Sequence, residues 1–326
     1  MRLRLYIYIL LCVAAWSCGG DADYRRAAGA VWGTTYHITY RSDRALDDSI
    51  LAEMRRVELS LSMFDSLSVV SRVNRAAVTD PIPVDSMFAE VFALSQRVNS
   101  LSGGAFDPTV GPLVDLWGFG PHVVDGGEAP SSEAVEAALA TVGIGRCRLE
   151  GLAVVKAHPD TRFDFSAVAK GYGVDRVAAA LRRCGVSDYM VEIGGEVCVA
   201  GVNPRGGEWH IALESPESGS AVGSNPTQIL AITDGAVATS GNYRNYRELA
   251  DSVTVGHTIN PHTGYPQATS TAAATVQAPS CALADALATA CMVLPPRQAL
   301  ALADSVGGVT IRLIHRDGEG WRTVQK

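Results

Sequence analysis

The stretch DFSAVAKGYGVD, residues 164–175, constrains this fold more than any other part of the chain. Small residues and Lys170 lead into Gly171–Gly173, and an apolar pattern with helical spacing follows directly. A tight turn of small residues at the start of a helix exposes backbone N–H groups that can bind a phosphate. Lys170, one of three lysines in the chain, would stand beside that phosphate as a point charge. The stretch therefore predicts a phosphate-binding turn that opens a helix.

Composition is compatible with one large domain or two closely packed ones, and it argues against some classes of partner. The chain has 326 residues, 47% of them hydrophobic, which is enough to bury a sizeable core. The formal net charge of −7 argues against a nucleic-acid-binding surface. An anionic ligand in a locally positive pocket remains compatible with this charge.

The first residues are typical of a secretion signal. Arg2 and Arg4 precede an apolar run over 5–15 that is too short for an ordinary membrane span. A small residue then precedes Cys18, which Gly-Gly-Asp follows, as at a bacterial lipoprotein cleavage site. Ordinary cleavage near Ser17, with Cys18 incidental, is the alternative.

These features divide the chain into three parts. We predict a lipoprotein signal peptide at 1–17, a tether at 18–28 and one domain at 29–326. The mature protein is expected to be exported and anchored to a membrane through lipidated Cys18, facing the periplasm.

Strand and helix patterns interleave irregularly. Strands are predicted at 31–40, 147–156, 162–165, 189–193, 197–202, 209–214, 229–233, 236–239, 272–278, 308–315 and 321–324, and helices at 45–62, 84–100, 131–142, 174–183 and 282–294. Asp234-Gly235 between two strand patterns predicts a hairpin. The antiparallel hairpins of the second half favour an α+β fold, with mixed or antiparallel sheets and flanking helices, over a doubly wound parallel sheet.

Three further features could carry chemistry. Residues 105–120 combine aromatics, prolines and glycines, which fits either a pocket wall for a flat ligand or a structural Ω-loop. Asp285 and Thr289 are four apart on a helix, which suits Mg²⁺ or Ca²⁺ but is also a common surface pair. His257 precedes an Asn-Pro turn and fits either a structural or a catalytic role.

The cysteines point away from a metal site. Beyond Cys18 five remain, none in CxxC spacing, and most lie in apolar runs. Buried free thiols are expected, with a single disulfide as the alternative in an exported protein.

Taken in order, these segments resemble the ApbE family of FAD:protein FMN transferases. The markers cover nearly the whole mature chain: WGTTYHITY, the Ser-rich connection at 65–71, GGAFDPTVGPLVDLWGFG, DFSAVAKGYGVD, VEIGGEVCVAG, DGAVATSGNYRNY, GHTINPHTGYP and ADALATACMVL. The resemblance implies the ApbE-like, T-fold-like α+β architecture.

The resemblance also implies site residues by position. Metal ligands would be the backbone carbonyl of Ala167 and the side chains of Asp285 and Thr289, with Mg²⁺ or Ca²⁺ as the ion. His257 and Lys170 would act in catalysis. The positions implied for FAD are Trp32, Phe64, Ala105, Phe106, Asp107, Asp164, Lys170, Thr258 and Ile259.

The implied reaction transfers FMN from FAD to a threonine or serine hydroxyl of a partner flavoprotein, in a membrane electron-transfer system, and releases AMP. Hydrolysis of FAD to FMN and AMP, or storage of FAD without chemistry, are the alternatives. The chain departs from the family pattern at Trp32 (usually Met), at Asn260 and His262 (usually Asp and Arg), and at Ala282, where some members carry a further acid.

Overall fold

The computed structural model describes residues 23–121, 128–214, 226–241, 246–248, 254–318 and 320–326. The predicted signal peptide, Cys18 and the start of the tether lie outside the described residues, as do Asn242–Asn245 of the DGAVATSGNYRNY segment. No helix of the described part is long and apolar enough to cross a membrane.

The elements alternate between helices and strands without a regular repeat. The helices are α1 (Asp47–Leu61), α2 (Val69–Arg75), α3 (Ser86–Leu101), α4 (Gly111–Leu116), α5 (Ser132–Leu139), α6 (Ser166–Arg183), α7 (Cys281–Val293) and α8 (Pro296–Ser305). The strands are β1 (Tyr24–Val31), β2 (Thr34–Arg41), β3 (Ile82–Pro83), β4 (Arg148–Leu149), β5 (Ala153–Val155), β6 (Tyr189–Ile193), β7 (Glu196–Ala200), β8 (Trp209–Glu214), β9 (Pro226–Ile232), β10 (Gly235–Gly241), β11 (Tyr246–Glu248), β12 (Thr254–Gly256), β13 (Thr271–Ala278), β14 (Thr310–Asp317) and β15 (Gly320–Gln325).

One large antiparallel sheet organises the molecule. Its eight strands run in the order β1-β2-β6-β7-β10-β13-β14-β15, and every neighbouring pair is antiparallel. Smaller sheets pair β3-β5-β4, β8-β9 and β11-β12. This arrangement confirms the predicted α+β class with antiparallel sheets and flanking helices.

Helix α7 lies at the centre of the core. Nearly all of its residues are buried, and it packs on α6, β10 and β13. Its many alanines let these neighbours approach closely, because a methyl side chain occupies little space. The helix begins at Ser280, whose hydroxyl accepts a hydrogen bond from the Leu283 N–H at 3.4 Å.

Two element predictions at the beginning of the chain were wrong. The predicted tether ends earlier than residue 28, because β1 begins at Tyr24 and pairs with β2 along its whole length. The single strand predicted at 31–40 is instead the end of β1, a turn at Trp32-Gly33, and β2. Trp32 takes a φ of +50° in that turn, a conformation that a tryptophan rarely adopts.

The hairpin predicted across Asp234-Gly235 does not form. Strand β9 pairs with β8, whereas β10 lies between β7 and β13 in the large sheet. Gly235 does have a positive φ, +133°, so the chain turns there but passes from one sheet to another. The last two predicted strands, at 308–315 and 321–324, are confirmed as β14 and β15, which pair as an antiparallel hairpin.

Candidate active site

The DFSAVAKGYGVD stretch is helical where a turn was expected. Helix α6 begins at Ser166 and includes Lys170, Gly171 and Gly173, so the predicted Gly-Tyr-Gly turn was wrong. These glycines serve close packing and not a left-handed backbone. A Cβ on Gly171 would lie 2.4 Å from the Cys281 carbonyl oxygen, and one on Gly173 would lie 2.2 Å from the Trp32 ring.

The close approach of α6 and α7 brings the predicted metal ligands together. The Gly171 N–H donates to Asp285 Oδ2 at 3.0 Å, and Asp285 is almost fully buried. In an α-helix this N–H faces the carbonyl of the residue four positions earlier, which is Ala167. The predicted carbonyl ligand, Ala167, thus lies one helical turn before the residue that contacts Asp285.

Thr289 lies one turn beyond Asp285 on α7 and is half-buried. Its hydroxyl lies 3.2 Å from the Ser240 hydroxyl of β10, and this contact restricts its rotamer. Sequence reasoning did not single out Ser240, because the contact joins two elements far apart in the chain.

These oxygens fit a hard divalent cation. A carboxylate, a hydroxyl and a backbone carbonyl are the ligand types that Mg²⁺ and Ca²⁺ take. Within the described ranges, no group of three or more His, Cys, Asp or Glu side chains could hold a metal ion. A cation at Asp285 would therefore depend on the hydroxyl, on the carbonyl and on ligands from the substrate.

Local charge also favours a cation. Two buried carboxylates, Asp285 and Glu196, lie near the Lys170 ammonium, and Lys170 forms a short ion pair with Glu196. Burial would lower the pKa of Lys170, but Asp285 and Glu196 outweigh it and raise that pKa. Burial raises the pKa of Asp285, and it raises the pKa of Glu196 to about 7 against the opposing effect of Lys170. With both carboxylates ionised, a single ammonium leaves a negative charge that a cation would compensate.

Asp175 anchors the helix that carries these ligands. From the second half of α6, its two carboxylate oxygens accept the N–H groups of Cys281 and Ala282 at 2.8 and 2.9 Å. An acid at a helix N-terminus satisfies unpaired donors and complements the helix dipole. Burial raises the pKa of Asp175 to about 6 despite these hydrogen bonds. Asp175 thus fixes α7 relative to α6, a role the sequence did not reveal.

Asp164 lies two residues before the first residue of α6. The strand predicted at 162–165 is not regular, and only Arg162 forms an isolated bridge, with Val110. The side chains of this segment still alternate between buried and less buried positions, so Phe163 and Phe165 both pack in the aromatic core. Their ring centroids lie 5.6 and 5.2 Å, respectively, from that of Phe88. Asp164 lies between Phe163 and Phe165 in the chain and is less buried than they are, and its Oδ1 accepts the Ser166 N–H at 2.8 Å.

Electrostatic interactions place Asp164 near two other predicted groups. Burial raises the pKa of Asp164, nearby Asp115 raises it further, and His257 opposes this. Asp115 lies on α4 and forms an ion pair with Arg162 at 3.2 Å. The 105–120 segment and the segment of His257 therefore converge on the start of α6.

The Ala105–Asp107 segment is more buried than a pocket lining requires. Ala105 and Phe106 are 1% and 2% exposed, and Phe106 belongs to the main core. The Asp107 carboxylate accepts the Thr109 N–H at 2.9 Å and the Ile144 N–H at 3.0 Å, which holds the loop in place. The structure thus gives these side chains a clear structural role, and contact with FAD through them stays a prediction.

Phe64 differs from them, because it is 68% exposed. Its neighbour Met63 places its sulfur 3.8 Å from the Ser166 hydroxyl at the start of α6. Phe64 is therefore an exposed aromatic side chain at the edge of the candidate site.

His257, Thr258 and Ile259 precede an ordered turn. The His257 ring contacts Phe119 edge-on, with 6.4 Å between centroids. The Thr258 carbonyl accepts the Gln267 N–H at 2.8 Å, and Ile259 forms a bridge with Pro266. His257 therefore lies between the aromatic 105–120 segment and this turn.

The two departures within that turn have structural roles. Asn260 Oδ1 accepts the His262 N–H at 2.8 Å, and Asn260 Nδ2 donates to Gln267 Oε1 at 2.7 Å. A Cβ on Gly104 would lie 2.9 Å from the His262 ring. Asn260 thus closes the turn in place of the usual aspartate, and His262 packs against Gly104.

Trp32 caps the other face of α6. Its ring covers Gly173, and its buried indole Nε1 has no hydrogen-bond partner within the part of the chain that the structure describes. The large indole thus fits against the helix only because residue 173 is glycine.

The cysteines are free thiols. The five that the structure describes, Cys147, Cys184, Cys198, Cys281 and Cys291, form no disulfide. Four of them are buried, which agrees with the expectation of buried free thiols.

The fold as a whole matches that of flavin transferases of known structure. The flavin transferase ApbE from Vibrio cholerae superposes with a TM-score of 0.84 at 35% identity, covering 93% of this chain and 97% of that one. The apo form of the flavinyl transferase ApbE from Pseudomonas stutzeri superposes with a TM-score of 0.84 at 34% identity. The match covers 95% of this chain and 96% of that one. The class is therefore that of the flavin transferases.

Sequence comparison identifies the family. The ApbE family model matches residues 32–313, and the chain belongs to the ApbE family. An FAD:protein FMN transferase of Vibrio cholerae is 36% identical over 311 residues, covering 94% of this chain and 91% of that protein. The Haemophilus influenzae protein of the same name is 34% identical over 330 residues, which cover 97% of this chain and 94% of that protein. These matches confirm the resemblance inferred from the motifs.

Proposed function

We propose that this protein is a metal-dependent FAD:protein FMN transferase, which moves FMN from FAD to a threonine or serine hydroxyl of an acceptor flavoprotein. Its relatives across nearly the whole chain bear this activity in their names. The observation that carries the proposal is the meeting of Lys170, Asp285 and the Gly171 N–H at the contact between α6 and α7. Cation and hard-oxygen groups at one place are what phosphoryl transfer requires.

The covalent change is a substitution at phosphorus. The acceptor oxygen forms a bond to the FMN-side phosphorus of FAD, the bond from that phosphorus to the bridging oxygen breaks, and AMP leaves with that oxygen. Asp285, Thr289 and the Ala167 carbonyl would hold Mg²⁺ or Ca²⁺. The bound ion would neutralise charge on the pyrophosphate.

The remaining steps belong to side chains of this chain. Lys170 binds the pyrophosphate and shares in neutralising its charge. His257 takes the proton of the acceptor hydroxyl. The flavin and adenine portions are held by Trp32, Phe64, Asp164, Thr258, Ile259 and the Ala105–Asp107 segment.

The location of the protein is part of the same proposal. Cys18 is lipidated after removal of residues 1–17, and the chain from Cys18 to β1 tethers the domain to the membrane. The acceptor is a flavoprotein of a membrane electron-transfer system. The tether would keep enzyme and acceptor on the same surface.

The test uses purified protein, FAD, Mg²⁺ and a candidate acceptor protein. Transfer yields a fluorescent, flavin-labelled acceptor and one AMP per label. FMN and AMP without labelling would indicate hydrolysis, and neither product would indicate a flavin-binding protein. Asp285→Ala should abolish labelling, and full labelling by that variant would contradict the metal assignment.

A further inference from the structure

Glu196 is a buried carboxylate that the proposed reaction does not use. It is the first residue of β7, directly after Gly194–Gly195, and is 3% exposed. Oε1 accepts a hydrogen bond from Lys170, but Oε2 has no partner among the described residues. Burying a carboxylate with an unsatisfied oxygen is costly, so a stability role alone does not explain it.

The large sheet fixes the backbone position of Glu196. Its strand pairs with β6 on one side and β10 on the other, at the centre of the large sheet. Gly194, with a φ of +65°, lies against Oε2, because a Cβ there would come within 3.4 Å of that oxygen. Glu196 Oε2 is therefore held against the turn that joins β6 to β7.

Lys170 has two buried carboxylates within electrostatic reach and pairs with only one of them. Its ammonium forms the ion pair with Glu196, whereas Asp285 Oδ2 receives the Gly171 N–H. Within the part of the chain that the structure describes, no lysine or arginine forms an ion pair with Asp285. This arrangement matters because an ammonium and a divalent cation compete for the same carboxylate oxygens.

We infer that Glu196 is a positioning residue that draws the Lys170 ammonium away from Asp285, and so leaves the Asp285 carboxylate available to a divalent cation. The inference rests on the proposed function, in which Asp285 is a metal ligand. Lysine has a flexible four-carbon stem, and Asp285 is the other buried carboxylate whose charge acts on the Lys170 ammonium. Lys170 would then occupy the position that the cation needs.

The experiment measures metal affinity directly. Mn²⁺ is titrated into the whole mature protein with saturating FAD, free Mn²⁺ is read by electron paramagnetic resonance, and chromatography verifies that FAD stays intact. Glu196→Ala should weaken Mn²⁺ binding by about tenfold or more, equivalent to about 1.4 kcal/mol. In a Lys170→Met background the same substitution should change the affinity by less than about threefold, because the competing ammonium is gone.

Two results would overturn the inference. An equal loss of affinity from Glu196→Ala in both backgrounds would mean that Glu196 acts on the cation directly or through the fold. Unchanged affinity in Glu196→Ala, with tight binding by the wild type, would also reject it and leave the proposed function intact. If the wild type and Asp285→Ala both failed to bind Mn²⁺, the metal assignment of the proposed function would fail instead.

Glu196→Gln keeps the inference testable if the alanine variant does not fold. The amide has the same shape and can still accept the Lys170 hydrogen bond, but it lacks the charge. It should weaken Mn²⁺ binding less than alanine does, with an unchanged melting temperature. Binding as tight as in the wild type would show that the charge of Glu196 is not needed.

Discussion

Gly171→Ala tests the claim that helix contact builds this site. The added Cβ would lie 2.4 Å from the Cys281 carbonyl oxygen and 2.8 Å from Asp285 Cβ. A comfortable carbon-to-oxygen contact is about 3.3 Å, so α6 and α7 must separate by about 1 Å. The atoms that clash are backbone and Cβ atoms, which cannot rotate away. The separation would carry Asp285 away from the Gly171 N–H.

The expected stability loss is modest. Overpacking of this kind costs about 1–3 kcal/mol, and alanine recovers about 1 kcal/mol of helix propensity. A net loss of up to about 2 kcal/mol lowers the melting temperature by up to about 3 °C in a domain of this size. Activity should suffer far more, because a misplacement of about 1 Å can cost about a hundredfold in rate.

The assay compares flavin-transfer kinetics and thermal unfolding of Gly171→Ala with those of Gly307→Ala. Gly307 has a φ outside the left-handed region and no atom within 4 Å of an added Cβ, so the same chemical change should leave both properties near wild type. A Gly171→Ala variant with wild-type rate and melting temperature would refute the close-packing explanation.

Three other predictions concern pH, catalysis and location. In the folded protein Asp175 keeps its proton up to about pH 6, whereas in the unfolded chain it releases the proton near pH 3.9. The wild-type free energy of unfolding should therefore fall by up to about 3 kcal/mol as the pH rises through this range. Asp175→Asn should lack this fall in urea titrations, and a parallel pH dependence would contradict the assignment. His257→Ala should lower kcat/KM by about a hundredfold or more and remove the acidic limb of the pH–rate profile. An unchanged profile would exclude His257 as the base. Cys18→Ser should move the expressed protein from the membrane to the soluble fraction on centrifugation, and continued membrane attachment would exclude Cys18 as the anchor.

Sequence periodicity predicted the elements that bury one face. The helix predicted at 84–100 is α3 at Ser86–Leu101, and the strand predicted at 209–214 is β8. The predicted helix at 282–294 is α7, displaced by one residue. These patterns succeed because the spacing of apolar side chains follows from the geometry of each element and needs no knowledge of its partner.

Pairing between strands was harder to predict. Asp234-Gly235 carries a strong local hairpin signal, yet β9 and β10 belong to different sheets. Strand β10 gains partners on both sides, β7 and β13, in the large sheet. A local turn sequence specifies the turn, but the partners of a strand depend on distant segments.

The site shows the same division. The motifs alone determined the family, and with it the prediction of Asp285 and Thr289 as metal ligands and of a functional charge at Lys170. They did not distinguish glycine needed for a left-handed turn from glycine needed for contact, so Gly171 was placed in a turn. Both uses look alike in a sequence, because each depends on the missing Cβ.

Tertiary structure alone decided which groups serve the motif residues. Glu196 pairs with Lys170 across 26 positions of sequence, Asp175 caps α7 across 106, and Ser240 reaches Thr289 across 49. All three residues lie in segments that mark the family, but nothing in those segments shows which distant group each residue contacts. A sequence motif records the chemistry that a site needs, whereas the positions and charges of its groups arise only when α6, α7 and the central strands pack together.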